Sequence, residues 1–271
     1  MQGWPHFIPT AQKVDYINSL LRVGFDTIDA GSFVSPKAIP QMADTAEVIT
    51  QLDMNGTRSK LLVIVANERG AEEAVKHASV TFLGFPFSVS ETFQQRNTNS
   101  SIAESLKRVE AIQALCQASG KQLVVYISMG LGNPYGDPWS AEIVFEWTRQ
   151  IAALGIDVIS LADTVGLATP EQVFDITRHV IRQLPGPEIG VHLHSTPANW
   201  KAKAEAALQA GCRRFDGALK GIGGCPMAGD ALVGNMNTEL MVPYFEAAGW
   251  PAGLNLTALA ESSRMAARIF S

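Results

Sequence analysis

The sequence predicts a parallel α/β protein, a (β/α)8 TIM barrel whose first β-strand is missing from the sequence. Helix-like and strand-like segments alternate from Thr10 onward with short glycine-rich breaks, which is typical of βα units around a parallel sheet. The strand-like segments are apolar and β-branched, as in strands buried on both faces. A length of 271 residues suits such a barrel as one domain. We therefore expect residues 1–271 to form a single catalytic domain, truncated at its N-terminus.

Segments of helical periodicity predict the outer layer of the barrel. We expect helices at residues 10–23, 43–53, 68–77, 102–119, 140–154, 169–184, 198–210 and 238–248, and a C-terminal helix at about 256–270. The runs between them predict the strands Phe25–Ala30, Lys60–Ala66, Val80–Phe85, Gln122–Met129, Asp157–Ala162, Glu188–His194 and Arg214–Leu219. The helix at 10–23 thus has no strand before it.

Closing a (β/α)8 barrel takes eight strands. The sequence is therefore expected to begin inside the first βα loop, with the first strand upstream of it. An open doubly wound sheet is the alternative. It is disfavoured because no Gly-x-Gly-x-x-Gly pattern follows an early strand.

Composition narrows the class of function. The chain is 46% hydrophobic and 17% charged, and no apolar run reaches the ~20 residues that span a bilayer, so we expect no membrane partner. A formal charge of −5 offers no basic stripe for a nucleic acid. Three cysteines without Cys-x-x-Cys spacing and an N-terminus without a secretory pattern favour a reducing, cytoplasmic location.

The segment at 189–196 contains His192 and His194 two residues apart in an apolar, β-prone run. Side chains at i and i+2 of a strand point to the same face. Two imidazoles on one face are a ligand pair for a divalent metal. The alternative is that the two histidines are ordinary core or surface residues.

Other candidates stand where predicted strands end, which is where barrels of this type build their active sites. Asp163 ends a strand, and because Thr169-Pro-Glu-Gln already caps the next helix, the Asp163 carboxylate is expected to be free for chemistry. Cys225 lies in a loop with three glycines, where a thiol is accessible. A lone cysteine is more often an inert small hydrophobe, as expected for Cys116.

Several motifs resemble those of the 3-hydroxy-3-methylglutaryl-CoA lyases, which belong to the metal-dependent TIM-barrel lyases and synthases. The resemblance runs from residue 1 to about residue 253. Its motifs are Ser32-Phe-Val-Ser-Pro-Lys-Ala-Ile-Pro-Gln-Met42, Arg96-Asn-Thr-Asn99, Tyr126-Ile-Ser128, Asp163-Thr-Val-Gly166, His192-Leu-His194 and Gly221-Ile-Gly-Gly-Cys-Pro226 with Asn235.

The resemblance implies a retro-Claisen cleavage of an acyl-CoA, which would be the small-molecule partner. It implies an Mg²⁺ or Mn²⁺ ion held by His192, His194 and Asn235, together with an aspartate from the absent first strand. Catalytic roles follow for Cys225 as general acid, and for His192, assisted by Asp163, in proton transfer. It further implies substrate contacts from Gln2, Tyr126, Thr164 and Lys37, support of Asn235 by Asp29, and a homodimer.

The chain also departs from the family. An Arg-Asp pair that precedes the position of Met1 in the lyases is absent, so weak metal binding and little turnover are expected of a chain that starts there. Asp29 stands where the lyases usually have Glu, and Ser195 and Pro197 replace the usual Asp and Tyr. The loop from Cys225 to Asn235 is longer by one residue. These differences bear on the acyl group of the substrate more than on the type of reaction.

Two other functions remain open. One is a Claisen condensing acyltransferase of the same superfamily, although such synthases carry a further regulatory domain. The other is a catalytically inactive barrel that serves as a binding subunit. Stabilisation by Mg²⁺ or Mn²⁺ would distinguish the enzyme from the inactive barrel.

Overall fold

The computed structural model describes residues 1–224 and 233–271. Within these ranges it contains one parallel sheet of seven strands, whose order in space is their order along the chain. A doubly wound sheet would reverse its strand order, so that alternative is wrong, and the fold is TIM-barrel-like. The strands are β1 Thr27–Ser32, β2 Lys60–Ile64, β3 Val80–Ser88, β4 Gln122–Ser128, β5 Val158–Asp163, β6 Glu188–Leu193 and β7 Arg214–Phe215.

Helices follow the strands and cover the outside of the sheet. They are α1 Thr10–Leu21, α2 Thr45–Thr50, α3 Glu68–Ala74, α4 Glu91–Thr98, α5 Ile102–Ala118, α6 Ala141–Ala153, α7 Pro170–Gln183, α8 Trp200–Ala210, α9 Thr238–Ala247 and α10 Leu256–Ile269. All the predicted helices are present, and α4 is an addition. The predicted cap of α7 is confirmed, because Thr169 and Gln172 form a capping box.

All seven predicted strands are present, and two of them differ from the prediction by more than two residues at one end. β3 runs on to Ser88 through Pro86. β2 stops pairing with β3 at Gly84, so the missing N–H of Pro86 falls where no ladder bond is needed. β7 is only two residues long instead of reaching Leu219. After Asp216 the chain leaves β6, and Ala218 bridges to Asn237 instead.

Apolar side chains fill both sides of the sheet. On the outer side, Leu83 and Phe85 of β3 and Val125 of β4 are fully buried against α5, which contributes Val109 and Ile112. A smaller interior cluster lies toward the start of the strands, made by Leu62, Phe82, Val124 and Val158. Polar side chains occupy the interior beyond it, toward the carboxyl ends of the strands.

β1 and β7 are the two edges of the sheet, and no pairing joins them within the described residues. An eighth strand of a (β/α)8 barrel belongs between such edges. The expectation that this strand lies upstream of residue 1 is not confirmed and stays a prediction. An apolar cluster covers this side from outside, with Tyr16 of α1 and Leu259 of α10 among its members.

The described helices do not have the length and apolar character that a membrane span requires. None of them is both long enough and apolar enough to cross a bilayer.

Candidate active site

The two histidines of the His-x-His motif lie at the end of β6 and face the same side. Their ring centroids are 5.3 Å apart, as the two-residue spacing in a strand predicts. The side chain of His192 is 34% exposed, whereas His194 is buried, with 4% exposure. The pair therefore has one ring that borders open space and one ring that is held inside the protein.

His192 is oriented by Asp216. Val191 and Phe215 are register partners in the β6–β7 pair, so His192 of β6 stands beside Asp216, the residue that follows β7. The Nδ1 of His192 lies 3.1 Å from the Oδ2 of Asp216. Burial disfavours the protonated ring, but the hydrogen bond and charge of Asp216 outweigh it, and the pKa of His192 lies above its ordinary value. With Nδ1 bonded to a carboxylate, Nε2 is the nitrogen left for a ligand.

His194 is oriented by a backbone carbonyl. Its Nδ1 donates to the oxygen of Val233 at 2.9 Å. Burial, aided by the charge of His192, lowers the pKa of His194 to about 4. The ring is therefore neutral near pH 7, and its Nε2 carries a lone pair.

Asn235 pairs with His194 through an isolated antiparallel bridge. Its Nδ2 donates to the carbonyl of Ile222 at 3.0 Å, and its backbone N–H donates to the carbonyl of Gly221. Gly223 has a φ of 114°, and a Cβ on it would lie 2.5 Å from Nδ2 of Asn235, so this position requires glycine. No donor within residues 1–224 and 233–271 bonds to Oδ1 of Asn235, which leaves this oxygen available.

These donors fit a divalent cation. Each imidazole is anchored at Nδ1 by a protein acceptor, as is usual for metal-ligating histidines, and the amide oxygen adds a third neutral donor. No group of three or more His, Cys, Asp or Glu side chains suited to a metal ion is found in the described part of the chain. The set is therefore two imidazoles and one carboxamide, without a carboxylate.

Two further residues, Tyr126 and Asp29, act on His192. The ring of Tyr126 on β4 meets the His192 ring edge to face, with centroids 5.6 Å apart, and burial raises the pKa of Tyr126 well above its ordinary value. Asp29 on β1 is exposed, yet desolvation by the surrounding protein raises the pKa of its carboxyl to about 6. Tyr126 therefore contacts His192, whereas Asp29 acts on it through its charge.

The expected support of Asn235 by Asp29 is not seen among the described hydrogen bonds. Oδ1 of Asp29 accepts from the backbone N–H of Gly31 at 3.3 Å, while the Asn235 amide is held by Ile222. The influence of Asp29 on the site is electrostatic, because its negative charge favours the protonated form of His192.

The expectation that the Asp163 carboxylate is free is wrong. Its Oδ2 lies 2.6 Å from Nζ of Lys203, and its Oδ1 accepts from the backbone N–H of Ala168 at 3.1 Å. Both residues are buried. Sequence reasoning missed Lys203, because a lysine on the first turn of a helix reads as a solvated residue.

The remaining residues predicted for the site differ in burial and in location. The hydroxyl of Thr164 accepts from the backbone N–H of Met129 at 2.9 Å, which links the ends of β4 and β5. Gln2 and Lys37 are exposed. Cys225 lies outside the described residues. Sequence reasoning also missed Asp216, although it stands within the predicted strand Arg214–Leu219, beside the strand of the histidines.

Comparisons with known proteins identify the family to which the chain belongs. The family model described as HMGL-like matches residues 1–266. The mitochondrial hydroxymethylglutaryl-CoA lyase of Bos taurus is 35% identical over 263 residues, which cover 97% of this chain and 80% of that protein. The (R)-citramalyl-CoA lyase of Chloroflexus aurantiacus is 34% identical over 272 residues, with 97% and 85% covered.

Solved structures give the same result. The HMG-CoA lyase of Brucella melitensis superposes with a TM-score of 0.92 at 31% identity, covering 99% of this chain and 94% of that one. An HMG-CoA lyase of Acinetobacter baumannii, in complex with coenzyme A and 3-methylmalate, superposes with a TM-score of 0.92 at 35% identity, covering 99% and 87%. The chain belongs to the HMGL-like family.

Proposed function

We propose that the protein is a metal-dependent carbon–carbon lyase that cleaves 3-hydroxy-3-methylglutaryl-CoA to acetyl-CoA and acetoacetate. The observation that carries this proposal is the pair of imidazoles anchored at Nδ1, beside an amide oxygen, in a member of the HMGL-like family. Relatives named as hydroxymethylglutaryl-CoA lyases support the substrate. The reaction belongs to leucine or ketone-body metabolism.

The proposed cofactor is Mg²⁺ or Mn²⁺. Nε2 of His192, Nε2 of His194 and Oδ1 of Asn235 would hold it, and as a Lewis acid it would acidify the tertiary hydroxyl of the substrate. Asp216 keeps the proton of His192 on Nδ1, and Val233 does the same for His194. Both rings are thereby fixed in the tautomer that offers Nε2 outward.

The two roles expected of His192, metal ligand and proton carrier, compete only if both use the same nitrogen. A nitrogen that binds a cation has no lone pair for a proton, and Nδ1 of His192 is already bonded to Asp216. The hydrogen bond therefore favours the ligand role for this residue. Asp163 is paired with Lys203, so we propose that it supports the site structurally and does not assist proton transfer.

Carbon–carbon cleavage leaves the enolate of acetyl-CoA, which needs a proton. We propose Cys225 as the general acid, on the strength of the family motif that contains it. A Cys225→Ser substitution should lower the rate roughly 10²-fold or more. Near-normal turnover of this variant, measured at saturating substrate, would exclude the role.

Substrate contacts are proposed for Tyr126, Thr164, Gln2 and Lys37. Tyr126 borders His192, and Thr164 keeps its hydroxyl proton for a ligand because its oxygen is the acceptor of the Met129 N–H. The exposed ammonium of Lys37 suits a phosphate of coenzyme A. We further propose a single catalytic domain that acts as a cytoplasmic homodimer.

The direct test is an assay of the purified protein with the thioester and Mn²⁺ or Mg²⁺, in which acetoacetate is quantified. Formation of acetoacetate that EDTA abolishes is the expected result, with a His194→Ala variant as the inactive control. A protein that binds Mn²⁺ but releases no acetoacetate would contradict the proposed substrate.

A related 3-hydroxyacyl-CoA is the second candidate substrate. Ser195 and Pro197 follow the histidine pair where the resembling lyases carry larger or charged residues, and one relative is named an (R)-citramalyl-CoA lyase. Cleavage of the citramalyl thioester yields pyruvate in place of acetoacetate. Assaying both thioesters side by side separates the two candidates.

A further inference from the structure

Lys203 reaches from the first turn of α8 to the ends of two neighbouring strands. The residue is 1% exposed, and its Nζ donates to Oδ2 of Asp163 at 2.6 Å, to the carbonyl of His194 at 2.9 Å and to the carbonyl of Gly166 at 3.0 Å. An ammonium group has three protons to donate. All three are used, so the side chain is fixed in place and its ammonium has no proton left to donate to a ligand.

The contacts of Lys203 connect it to both the backbone of His194 and the residue that accepts from its ring. Lys203 holds the carbonyl of His194, and the imidazole of His194 donates to the carbonyl of Val233. The side chain of Val233 packs on Gly166, where an added Cβ would lie 2.8 Å from its Cγ1. Lys203 in turn holds the carbonyl of Gly166. The backbone of His194 and the acceptor of its ring are therefore tied to the same ammonium.

Asp163 makes this arrangement possible by neutralising the buried charge. Both of its oxygens are occupied, one by Lys203 and one by the N–H of Ala168. A buried charge left without its partner is strongly destabilising. Asp163 and Lys203 therefore act as a unit that joins the loop after β5 to the end of β6.

We propose that Lys203 is a positioning residue for the cation site: it fixes the imidazole of His194 through the backbone of β6 and through Val233. The three protons of its ammonium are all donated to protein oxygens, so Lys203 acts through these contacts and not as a ligand. The inference rests on the proposed function, because it assigns to His194 the role of ligand. Its consequence is that the affinity for a divalent ion depends on Lys203.

Binding of Mn²⁺ alone, followed by the EPR signal of the free ion, tests this inference without any turnover. Lys203→Met removes the ammonium while keeping the length of the side chain, and it should weaken Mn²⁺ binding about 10-fold or more, the range found for outer-shell partners of metal ligands. Lys203→Arg keeps a charged donor and should recover part of the affinity.

Lys13→Met is the matched control. Lys13 is also 1% exposed, and it also forms a 2.6 Å ion pair, with Asp44, but its other contacts are the carbonyl of Gln41 and the ring of Phe7. Both Met variants should lose thermal stability, because each breaks a buried ion pair. Only Lys203→Met should lose Mn²⁺ affinity.

The outcomes separate the two proposals. Wild-type protein without specific Mn²⁺ binding would overturn the proposed metal site itself. Wild-type binding with unchanged affinity in Lys203→Met, or with equal losses in the two Met variants, would overturn the role of Lys203. Should Lys203→Met fail to fold, Lys203→Gln, which keeps amide donors without the charge, is judged by the same criterion.

Discussion

His192 and His194 differ in the acceptor that each ring meets at Nδ1. Asp216 brings a full negative charge to His192, whereas Val233 brings only a carbonyl dipole to His194. Burial lowers the pKa of His194 to about 4 although the Val233 carbonyl opposes this, whereas at His192 the charge of Asp216 outweighs burial and the pKa lies above its ordinary value. The two imidazoles are therefore unequal donors, and the carboxylate partner makes the His192 ring the more basic of the two.

An Asp216→Asn substitution tests this difference at the residue scale. The amide is isosteric but uncharged, so the His192 ring becomes less basic and its orientation is held less firmly. We expect metal affinity or turnover to fall about 10- to 100-fold. Isothermal titration with Mn²⁺ measures the change, and Asp15→Asn, at an exposed position of α1, provides the control. An unchanged affinity for Asp216→Asn would argue against His192 as a ligand.

A glycine next to the site offers a second residue-scale prediction. A Cβ at Gly223 would strike Nδ2 of Asn235, whereas at Gly136, which also has a positive φ, a Cβ would meet nothing within 4 Å. Gly223→Ala therefore combines backbone strain with a displaced carboxamide, while Gly136→Ala carries strain alone. We expect both to lower the melting temperature and only Gly223→Ala to weaken Mn²⁺ binding several-fold. Equal Mn²⁺ affinities would remove Asn235 from the ligand set.

Residue patterns predicted part of this site. The common face of His192 and His194 follows from the strand period alone. Asp216 and Lys203 could not be found that way, because each reaches its partner across 24 and 40 residues of sequence respectively. Such contacts depend on which strands are adjacent and on how a helix packs, and neither is encoded in local spacing.

At the scale of elements, local signals predicted the existence of helices and strands better than their ends. The capping box of α7 was visible in the sequence. α4 was missed because its residues are largely polar and show no apolar stripe. Its start is fixed partly from a distant loop, where Asp137 accepts from the backbone N–H of Thr92. β7 ends early because its continuation finds another partner at Asn237.

The α7 cap gives the element-scale prediction. Oγ1 of Thr169 accepts from the N–H of Gln172, and the Gln172 side chain accepts from the N–H of Thr169. A Thr169→Ala substitution should lower the free energy of unfolding by about 1 kcal/mol. Urea unfolding measures it. Mn²⁺ affinity should stay at the wild-type value, since α7 begins beyond the loop that Lys203 holds, and a loss there would show that the two elements are coupled.

At the scale of the whole molecule, the sheet gathers the site from distant parts of the chain. Parallel strands in sequential order carry their carboxyl ends to one side. Tyr126 of β4 therefore contacts His192 of β6, and Asp29 of β1 comes near enough to act on it through its charge. His194, just after β6, is paired with Asn235 from a segment 41 residues further along the chain. A cation at this point would therefore bridge elements that come together only in the folded protein.

This bridging predicts that a divalent ion stabilises the native state. A ligand that binds only the folded form adds RT ln(1 + [L]/Kd), about 2.7 kcal/mol at a concentration of 100 Kd. The melting temperature should therefore rise with Mn²⁺ and return to its starting value with EDTA. His194→Ala should abolish the rise, whereas His179→Ala, on α7 with a 36% exposed side chain, should retain it. A melting temperature indifferent to Mn²⁺ would favour an inactive barrel over a metal-dependent lyase, whatever the sequence motifs suggest.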